Sequence, residues 1–382
     1  MPPPSSTPSP TSPDRYGDDV TARYDAVILG LGIHGSASAY ELARRGLRVA
    51  GIERFTAGHP RGSSHGATRM IRRAYPHPDW NEFVRHAYRG WERWERQAGM
   101  VFVHRTSGAY AHRSGGGLQG GRSRPASLDE VAEVLPGLRL PDGYHATLDP
   151  DAGVVEAGAA LAWAHAAAAE AGAELSFGET VLGWAGDDEG VRVATDRREL
   201  LADRLVVAGG PWLSRLLPAV GVRAEVWRIL TYSARPGQAA AQSPALGAFS
   251  VDLDEGLVFG LPEVAGAGAK IGVDAGVLWD PEIPVAPPTP EETGHLAGLL
   301  ARFAPGVDVT GGEAAACLYT MTPDRRFLIG ALADQPGVIV AAACSGHGFK
   351  FAPAVGEAVA DLVEGIDRPD LDFLRPDREV LR

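Results

Sequence analysis

A glycine-rich turn near the amino end, set between a strand and a helix, is the feature that most constrains the fold. Residues 24–29 form a short apolar run, and a helical pattern follows the turn over residues 36–45. A second apolar run, 48–52, ends at Glu53. The turn has the pattern G-x-G-x-x-G, whose glycines are Gly30, Gly32 and Gly35. In this context the pattern predicts a Rossmann-type domain that binds a dinucleotide, and the alternative is a glycine turn in an ordinary α/β protein.

Each part of this motif has a chemical role in dinucleotide binding. Gly30 allows the tight turn, Gly32 lets backbone approach a pyrophosphate, and Gly35 permits close packing of the helix on the strand. The phosphates would lie at the amino end of the helix. Glu53 would accept hydrogen bonds from a ribose.

The loop after the second strand favours FAD over a nicotinamide cofactor. A nicotinamide dehydrogenase would continue with regular βαβ units, but this chain runs into the polar segment TAGHPRGSSHGATRMIRRAYPH. Arg69, Arg72 and Arg73 fall within five residues of one another. Alone, such a trio is typical of a solvated basic surface. Beside a dinucleotide motif it favours recognition of a carboxylate or phosphate, because guanidinium binds these groups bidentately.

The rest of the chain predicts a second domain and two further glycine corners. Residues 223–285 contain short strand-like pieces separated by glycine and proline, which predicts a mostly antiparallel sheet that covers the substrate. A double glycine begins at Gly209, and CSGHGFKF occupies residues 344–351. Both corners are expected to return to the first domain, the second with its helix aimed at a flavin ring. The predicted fold class is α/β, an α+β composite of a Rossmann-type FAD-binding domain and a mostly antiparallel substrate domain.

Composition excludes several other classes of protein. The net charge of −12 argues against a general nucleic-acid binder. No apolar run reaches the roughly 18 residues of a membrane span. The two cysteines, Cys317 and Cys344, cannot form a disulfide framework, which favours a reducing, cytoplasmic location. Residues 1–22, rich in proline and serine and without the features of a secretory signal, are expected to form a disordered tail.

Five stretches of the sequence together match a known family. They are DAVILGLGIHGSASAYELARRGLRVAGIER, GSSHGATRMIRRAY, GAKIG, CLYTMTPD and CSGHGFKF. The sequence resembles the monomeric sarcosine oxidase family, which includes N-methyltryptophan and pipecolate oxidases, among the D-amino acid oxidase-like FAD-dependent oxidoreductases. We expect a discontinuous FAD-binding domain of residues 23–75, 150–220 and 310–370, and a discontinuous substrate-binding domain of residues 76–149 and 221–309.

The resemblance also implies roles for individual residues. Cys317 matches the cysteine that forms a thioether to the 8α-methyl group of FAD, although a free cysteine, like Cys344, is usually a small buried residue. Arg72 and Lys350 match the pair that holds the substrate carboxylate. Lys270 matches a lysine that promotes the reaction with oxygen. The other residues expected to lie against the flavin or along the cofactor are Ile33, His34, Arg54, Ser63, His65, Thr68, Arg69, Val181, Gly209, Gly346, His347 and Gly348.

Two positions depart from the family pattern. Family members that act on small substrates have a tyrosine eleven residues before the oxygen-activating lysine and a histidine four residues after it. Here these positions are Phe259 and Asp274. If a loop has shifted, neither side chain enters the pocket. If both enter it, the pocket loses a hydroxyl and gains a carboxylate that could hold a cationic or hydroxylated substrate side chain, and sarcosine becomes a poor candidate.

The predicted function is oxidation of a secondary or cyclic amino acid to an imine by hydride transfer to FAD, with reduction of oxygen to hydrogen peroxide. Two alternatives remain: an FAD-dependent amino acid dehydrogenase with another electron acceptor, and a non-catalytic flavin-holding subunit. Lys270 disfavours the first. Arg72 and Lys350 disfavour the second, because a scaffold has no need for charges that face a buried pocket. No metal is implied, the expected partners are the substrate and oxygen, and a monomer is expected.

Overall fold

The computed structural model describes residues 23–218, 224–237, 246–342 and 344–381. The tail predicted to be disordered, residues 1–22, lies outside the described residues. The strands of the described ranges are β1 (Arg23–Leu29), β2 (Val49–Glu53), β3 (Thr68–Ile71), β4 (Val103–Arg105), β5 (Gly108–His112), β6 (Arg124–Ala126), β7 (His145–Asp149), β8 (Gly153–Glu156), β9 (Glu174–Phe177), β10 (Val181–Asp187), β11 (Gly190–Thr195), β12 (Glu199–Val207), β13 (Glu225–Ser233), β14 (Ala248–Leu253), β15 (Gly256–Leu261), β16 (Lys270–Asp274), β17 (Val277–Leu278), β18 (Glu313–Met321), β19 (Leu328–Leu332) and β20 (Gln335–Ala342). The α-helices are α1 (Ile33–Arg44), α2 (Trp80–Ala98), α3 (Leu128–Val134), α4 (Ala157–Glu170), α5 (Leu213–Leu216), α6 (Pro290–Phe303) and α7 (Ala352–Val363). Short 3-10 helices occupy Gly210–Trp212, Phe349–Phe351, Pro369–Leu374 and Glu379–Leu381.

An eight-stranded sheet forms the layout that the amino-terminal motif predicts. Five of its strands are parallel, in the spatial order β9–β2–β1–β12–β20. β19 pairs antiparallel with β20, and the hairpin of β10 and β11 pairs with the first half of β12. β2 is buried along its whole length, as is typical of parallel strands covered on both faces. The Rossmann-type fold is therefore confirmed.

Helices cover one face of this sheet. α1 packs against α4 and α7, and α2 packs on α7. α2 carries apolar side chains at helical spacing, and its aromatic residues Phe83, Tyr88, Trp91 and Trp94 are all buried. This aromatic face extends the core beneath the corner that contains Phe349–Phe351.

A nine-stranded sheet forms the second large sheet of the fold. Its order is β17–β13–β16–β15–β14–β5–β7–β6, with β18 also paired to β13. Neighbouring strands are antiparallel except β14 and β5, so the predicted mostly antiparallel sheet is confirmed. One face packs apolar side chains such as Phe249 and Ile271 against Phe303 of α6. Because side chains alternate along a strand, Lys270 and Asp274 project from the other face of β16.

Two elements connect the segments predicted as separate domains. β18 lies within residues 310–370 but pairs along its whole length with β13 of the nine-stranded sheet. α2 lies within residues 76–149 but packs on α7. The division at these boundaries stays a prediction. None of the helices in the described ranges combines the length and apolar character needed to cross a bilayer.

Candidate active site

A cavity of about 910 Å³ lies at the carboxyl ends of the parallel strands. Its wall includes the ends of β1, β2 and β20 and the first turn of α1. Doubly wound sheets bind their ligands at this edge. The predicted cofactor residues in the wall are Gly30, Gly32, Ile33, His34, Glu53, Arg54, Ser63, Arg69, Val181, Gly209, Gly346 and Gly348. The predicted cofactor residues outside it are Gly35, His65, Thr68, Cys317, His347 and Lys350.

Other protein atoms approach closely at each glycine of the glycine-rich turn. Gly30 has φ of +93°, and a Cβ there would lie 2.7 Å from the carbonyl oxygen of Ala208. A Cβ at Gly35 would lie 1.8 Å from the carbonyl oxygen of Gly30, so only glycine lets α1 approach β1 this closely. A Cβ at Gly32 would meet Ser64 Oγ at 3.0 Å in the cavity wall. Gly32 supplies no side-chain cap, and Ser64 Oγ accepts the first N–H of α1, from Ile33, at 3.0 Å, so the next N–H groups of this turn suit the pyrophosphate of a dinucleotide.

Glu53 ends β2 with its carboxylate in the cavity wall. Its oxygens accept the backbone N–H groups of Leu31 at 3.0 Å and Phe55 at 2.9 Å, and His59 Nε2 lies 3.5 Å away. Burial raises the pKa of Glu53, but the hydrogen bonds from His59 and the backbone outweigh burial and lower the pKa overall. The carboxylate is therefore ionised at neutral pH and suited to accept ribose hydroxyl groups.

Two cations share one backbone carbonyl close to Cys317. Arg69 Nη1 and Lys270 Nζ both donate to the carbonyl oxygen of Thr68, at 2.9 Å and 2.5 Å. Arg69 Nη2 also donates to the carbonyl oxygens of Ser63 at 2.8 Å and His65 at 2.5 Å. Burial and the charge of Arg69 lower the pKa of Lys270 to about 7. Burial raises the pKa of the Cys317 thiol, and the two nearby cations oppose that effect.

His65 lies beside this cluster with an unused ring nitrogen. Its Nε2 is buried and has no hydrogen-bond partner among the described residues. Burial, together with the charges of Arg69, His59 and Lys270, lowers the pKa of His65 to about 4. Buried polar atoms usually have partners, so a bare ring nitrogen fits a site that a ligand completes.

A second cluster joins Arg72 to the late glycine corner through Tyr75. The Arg72 guanidinium lies 5.0 Å from the centre of the Tyr75 ring. Lys350 Nζ donates to Tyr75 Oη at 3.3 Å and to the carbonyl oxygen of His347 at 2.8 Å. Tyr75 Oη lies 3.3 Å from Nδ1 of His347. The structure thus brings the predicted carboxylate-binding pair, Arg72 and Lys350, together around one tyrosine.

The two departures from the family pattern lie on the same face of the nine-stranded sheet as Lys270. Asp274 ends β16, and Phe259 lies beside this strand on β15. Asp274 Oδ2 lies 3.1 Å from Arg325 Nη1, whereas Oδ1 is buried without a partner in the described part of the chain. Burial raises the pKa of Asp274, and the charges of Arg325 and Arg72 oppose this shift. Asp274 therefore lies close enough to Arg72 for the charge of Arg72 to affect its pKa, and its Oδ1 is an acceptor without a partner in the described part of the chain.

The late corner uses its glycines for packing within the protein. A Cβ at Gly346 would lie 2.4 Å from the Tyr319 ring, and one at Gly348 would lie 2.3 Å from Cβ of Cys344. His34 Nε2 lies 3.0 Å from the carbonyl oxygen of Gly348, and His34 Nδ1 lies 3.4 Å from Cys344 Sγ. Protein contacts alone therefore explain glycine at both positions, and they tie the corner to the start of α1.

Arg54, a predicted cofactor residue, lies at the rim of the cavity in an ion-pair network. Its Nη1 is 3.1 Å from Glu282, and Arg215 Nη1 is 2.6 Å from the same carboxylate. All three side chains line the cavity. Arg54 follows β2 and Arg215 lies on α5, whereas Glu282 follows β17 of the nine-stranded sheet. The network therefore links segments of the eight-stranded and nine-stranded sheets across the rim.

The sequence-based prediction assigned no role to four residues that build the site: Ser64, Tyr75, Tyr319 and Arg325. Tyr75 lies three residues after Arg72, and Tyr319 lies two residues after Cys317 on the same face of β18. Strand alternation could have identified Tyr319. Arg325 adopts φ of +56° in a turn, and no local signal identifies it.

Comparison with known proteins agrees with this architecture. Residues 25–362 match the family described as DAO, FAD dependent oxidoreductase. The monomeric sarcosine oxidase of Streptomyces avermitilis is 34% identical over 357 residues, which cover 89% of this chain and 93% of that protein. The peroxisomal sarcosine oxidase of Homo sapiens is 30% identical, with coverage of 89% and 92%. The solved open form of NikD, an unusual amino acid oxidase essential for nikkomycin biosynthesis, matches with a TM-score of 0.80 and 26% identity, covering 93% of this chain and 98% of that one.

The family resemblance inferred from the five motifs is confirmed. The match spans nearly all of the described chain and includes the glycine-rich turn, both arginine-containing clusters and the late corner. The chain belongs to the DAO family of FAD-dependent oxidoreductases.

Proposed function

We propose that this protein is an FAD-dependent oxidase that converts a secondary or cyclic amino acid, either an N-methyl amino acid or an imino acid, to an imine. Oxygen is the electron acceptor and hydrogen peroxide the second product. The observation that carries the proposal is the pairing of Arg72 and Lys350 at Tyr75 in a member of this family. Relatives are named sarcosine oxidase and N-methyl-L-tryptophan oxidase, and both names specify N-methyl amino acids.

The chain's own residues suit FAD along the length of the cavity. The turn at Gly32 and the amino end of α1 would hold the pyrophosphate, and Glu53 would hold a ribose. Arg69, fixed by three carbonyl groups, would lie against the ring system. When bound, FAD supplies the acceptor for the substrate hydride and passes the electrons to oxygen.

Arg72 and Lys350 hold the substrate carboxylate in this proposal. A guanidinium offers two parallel N–H groups to a carboxylate, and a lysine adds a point charge beside them. Fixing the carboxylate fixes the amine and its neighbouring carbon as well, because these atoms are only one or two bonds away. The Tyr75 hydroxyl holds Lys350 in place for this role.

Lys270 acts on the oxygen side of the reaction. It is 8% exposed and is held at Thr68, so the charge that it carries at and below its pKa of about 7 has a fixed position from which most water is excluded. A fixed positive charge stabilises the negative charge that develops as oxygen is reduced. This role favours an oxidase over a dehydrogenase that uses another acceptor.

Cys317 is the proposed point of covalent attachment of FAD. Burial raises the pKa of its thiol, and the nearby charges of Arg69 and Lys270 oppose that rise. Nearby cations favour the thiolate, which is the reactive form of cysteine.

Asp274 and Phe259 set the substrate class within the family. Asp274 Oδ1 has no partner in the described ranges, and an unpaired buried acceptor is costly unless a donor on the substrate satisfies it. We therefore assign a substrate whose side chain carries an amine or hydroxyl group that reaches Asp274. Sarcosine has no such group.

Further parts of the proposal concern the organisation and location of the protein. We assign the segments 23–75, 150–220 and 310–370 chiefly to cofactor binding and 76–149 and 221–309 chiefly to substrate binding. The protein acts as a monomer in the cytoplasm.

Oxygen consumption and peroxide release test the proposed function. The FAD-loaded protein is assayed with N-methyl and cyclic amino acids, alone and with polar side chains. The Arg72→Lys variant should raise KM by about 10- to 100-fold, because a hydrogen bond to a charged group contributes about 1.5–3 kcal/mol. The matched Arg73→Lys variant should keep KM, because Arg73 lies over Tyr88 and pairs with Asp151. Bleaching of the flavin without oxygen consumption would favour the dehydrogenase instead.

A further inference from the structure

The hydrogen bonds around Tyr75 define where each hydrogen lies between Lys350 and the backbone. The carbonyl oxygen of Arg325 can only accept, so Nε2 of His347, 3.1 Å away, carries a hydrogen. Burial lowers the pKa of His347 to about 3, so the ring is neutral and its Nδ1 is an acceptor. Tyr75 donates its hydroxyl hydrogen to this Nδ1. The Tyr75 oxygen can then only accept from Lys350.

Lys350 Nζ therefore has two N–H groups in use and one position left. The first N–H points to Tyr75 Oη and the second to the carbonyl oxygen of His347. Within the described ranges, Nζ has no further hydrogen-bond partner. As an ammonium group it would carry a third N–H at the remaining position. As an amine it would carry a lone pair there and would keep both of its hydrogen bonds to the protein.

The surroundings of Nζ favour the amine. Lys350 is 6% exposed, and no carboxylate in the described part of the chain pairs with it. The titratable or charged groups that face it are Arg72, Tyr75, His347 and Cys344. From α2 it meets Trp91, whose Nε1–H donates to the Lys350 carbonyl and which carries no charge. Burial and Arg72 lower the pKa of Lys350 well below its ordinary value, and Cys344 opposes this effect.

The distribution of lysine in the sequence points the same way. The chain has two lysines, Lys270 and Lys350, and every other basic residue among its 36 lysines and arginines is arginine. Both lysines lie in the site. Arginine stays protonated at all physiological pH values, whereas lysine can lose its proton when buried. Lysine at position 350 thus provides something that the chain's usual cation does not: a group that can accept a proton.

We propose that Lys350 is an uncharged amine in the free protein and takes the ammonium proton of the arriving amino acid. This inference rests on the proposed function and concerns the same site. An N–H bond of the substrate ammonium breaks, and a new N–H bond forms at Lys350 Nζ. The substrate amine becomes neutral, as loss of hydride from its neighbouring carbon requires. Lys350 becomes the ammonium group that, with Arg72, holds the substrate carboxylate.

A matched pair of ligands gives this proposal a measurable consequence. Isobutyrate has a carboxylate and no amine, so its binding must draw the Lys350 proton from solution. 2-Aminoisobutyrate has the same skeleton with an ammonium group, and no hydrogen on the carbon bonded to nitrogen, so it cannot be oxidised there. It brings its own proton. At neutral pH, the protein should take up about one proton per site when it binds isobutyrate and about none when it binds 2-aminoisobutyrate.

The experiment uses the FAD-loaded protein without oxygen. Binding is followed by the flavin absorbance, and protons are counted by calorimetry in two buffers of different ionisation enthalpy. In protein labelled with carbon-13 at the lysine ε position, the two lysines give two signals, which Lys270→Met assigns. The Lys350 signal should move from its amine to its ammonium position when isobutyrate binds.

The outcomes separate the proposal from its alternatives. Absence of proton uptake with isobutyrate would overturn it, and so would uptake with both ligands, since the substrate amine would then keep its proton. Failure of either ligand to bind would overturn it as well. Lys350→Arg should bind isobutyrate without proton uptake, because arginine retains its proton, while Lys270→Met should keep the uptake. Bleaching by an oxidisable amino acid in the same sample tests the proposed function separately.

Discussion

Two single residues in this site, both lysines, are buried without acidic partners among the described residues. Lys270 donates to the carbonyl of Thr68 and Lys350 to the carbonyl of His347, and no carboxylate in the described ranges pairs with either lysine. A carbonyl satisfies an N–H group without neutralising its charge. Burial and a neighbouring arginine, with no carboxylate partner in the described ranges to oppose them, lower the pKa values of both lysines, which remain available to anionic ligands.

The pH dependence of stability should reveal the lowered pKa of Lys270. Its pKa is about 7 in the folded protein and 10.5 ordinarily, so between these values the unfolded chain binds a proton that the folded protein lacks. The free energy of unfolding must then rise with pH across this window. Lys270→Met removes this dependence. From pH 7 to pH 10.5, the free energy of unfolding of the wild type should therefore rise by several kcal/mol relative to that of the variant, at about 1.4 kcal/mol per pKa unit.

Urea unfolding of the cofactor-free protein at a series of pH values measures this difference. A difference between variant and wild type that stays constant over the whole window would show that Lys270 keeps its proton in the folded state.

Asp274 should control which substrates are accepted. Asp274→Asn should lower kcat/KM about 10- to 100-fold for substrates with an amine or hydroxyl side chain, because the charged acceptor contributes about 1.5–3 kcal/mol. Substrates with plain alkyl side chains should react as before. The control is Asp254→Asn, whose side chain is 97% exposed. An equal loss for both substrate groups would place Asp274 outside the specificity pocket.

Cys317 should decide whether the flavin stays with the chain on denaturation. The wild-type protein, precipitated with acid, should keep its yellow colour in the pellet, whereas Cys317→Ser should release it to the supernatant. Cys344→Ser is the matched control and should behave as the wild type. Release of flavin from the wild type would contradict covalent attachment.

At the scale of whole elements, local pattern predicted some parts of the site and long-range contacts determined the rest. The strand–turn–helix–strand motif is formed by β1, α1 and β2, although α1 begins at Ile33 rather than at residue 36. The late corner was predicted from its glycines and Lys350. The bond between Lys350 and Tyr75 joins residues 275 positions apart, and no periodicity in the sequence encodes such a contact.

The packing of α1 on β1 provides a test at this scale. Gly35→Ala places a Cβ 1.8 Å from the Gly30 carbonyl oxygen, so backbone must shift and FAD binding should weaken at least tenfold, a loss of about 1.4 kcal/mol. Gly158→Ala, in the first turn of α4, is the control because its nearest contact would be 3.7 Å. It should be neutral or stabilise the protein by about 0.5–1 kcal/mol. Titration of the cofactor-free variants with FAD gives both affinities, and equal affinities would contradict the steric argument.

The whole molecule brings the site together from three sheets: the eight-stranded sheet, the nine-stranded sheet and the three-stranded sheet β3–β8–β4. Arg72 follows β3 and Lys350 precedes α7, whereas Lys270, Asp274 and Cys317 come from the nine-stranded sheet. β18, which pairs with β13, extends directly into the segment that returns to the parallel sheet through β19 and β20. The carboxylate-binding pair and the oxygen-side lysine therefore keep fixed relative positions only when all three sheets are in place.

An anaerobic titration of the FAD-loaded protein is the measurement that tests the central claim most directly. N-methyl and cyclic amino acids, with and without polar side chains, are added while the visible flavin band is recorded, and air is then admitted. We predict that at least one polar member of this group bleaches the band, and that air restores it with release of hydrogen peroxide. A band that no member of the panel bleaches would contradict the assignment of this site to amino acid oxidation.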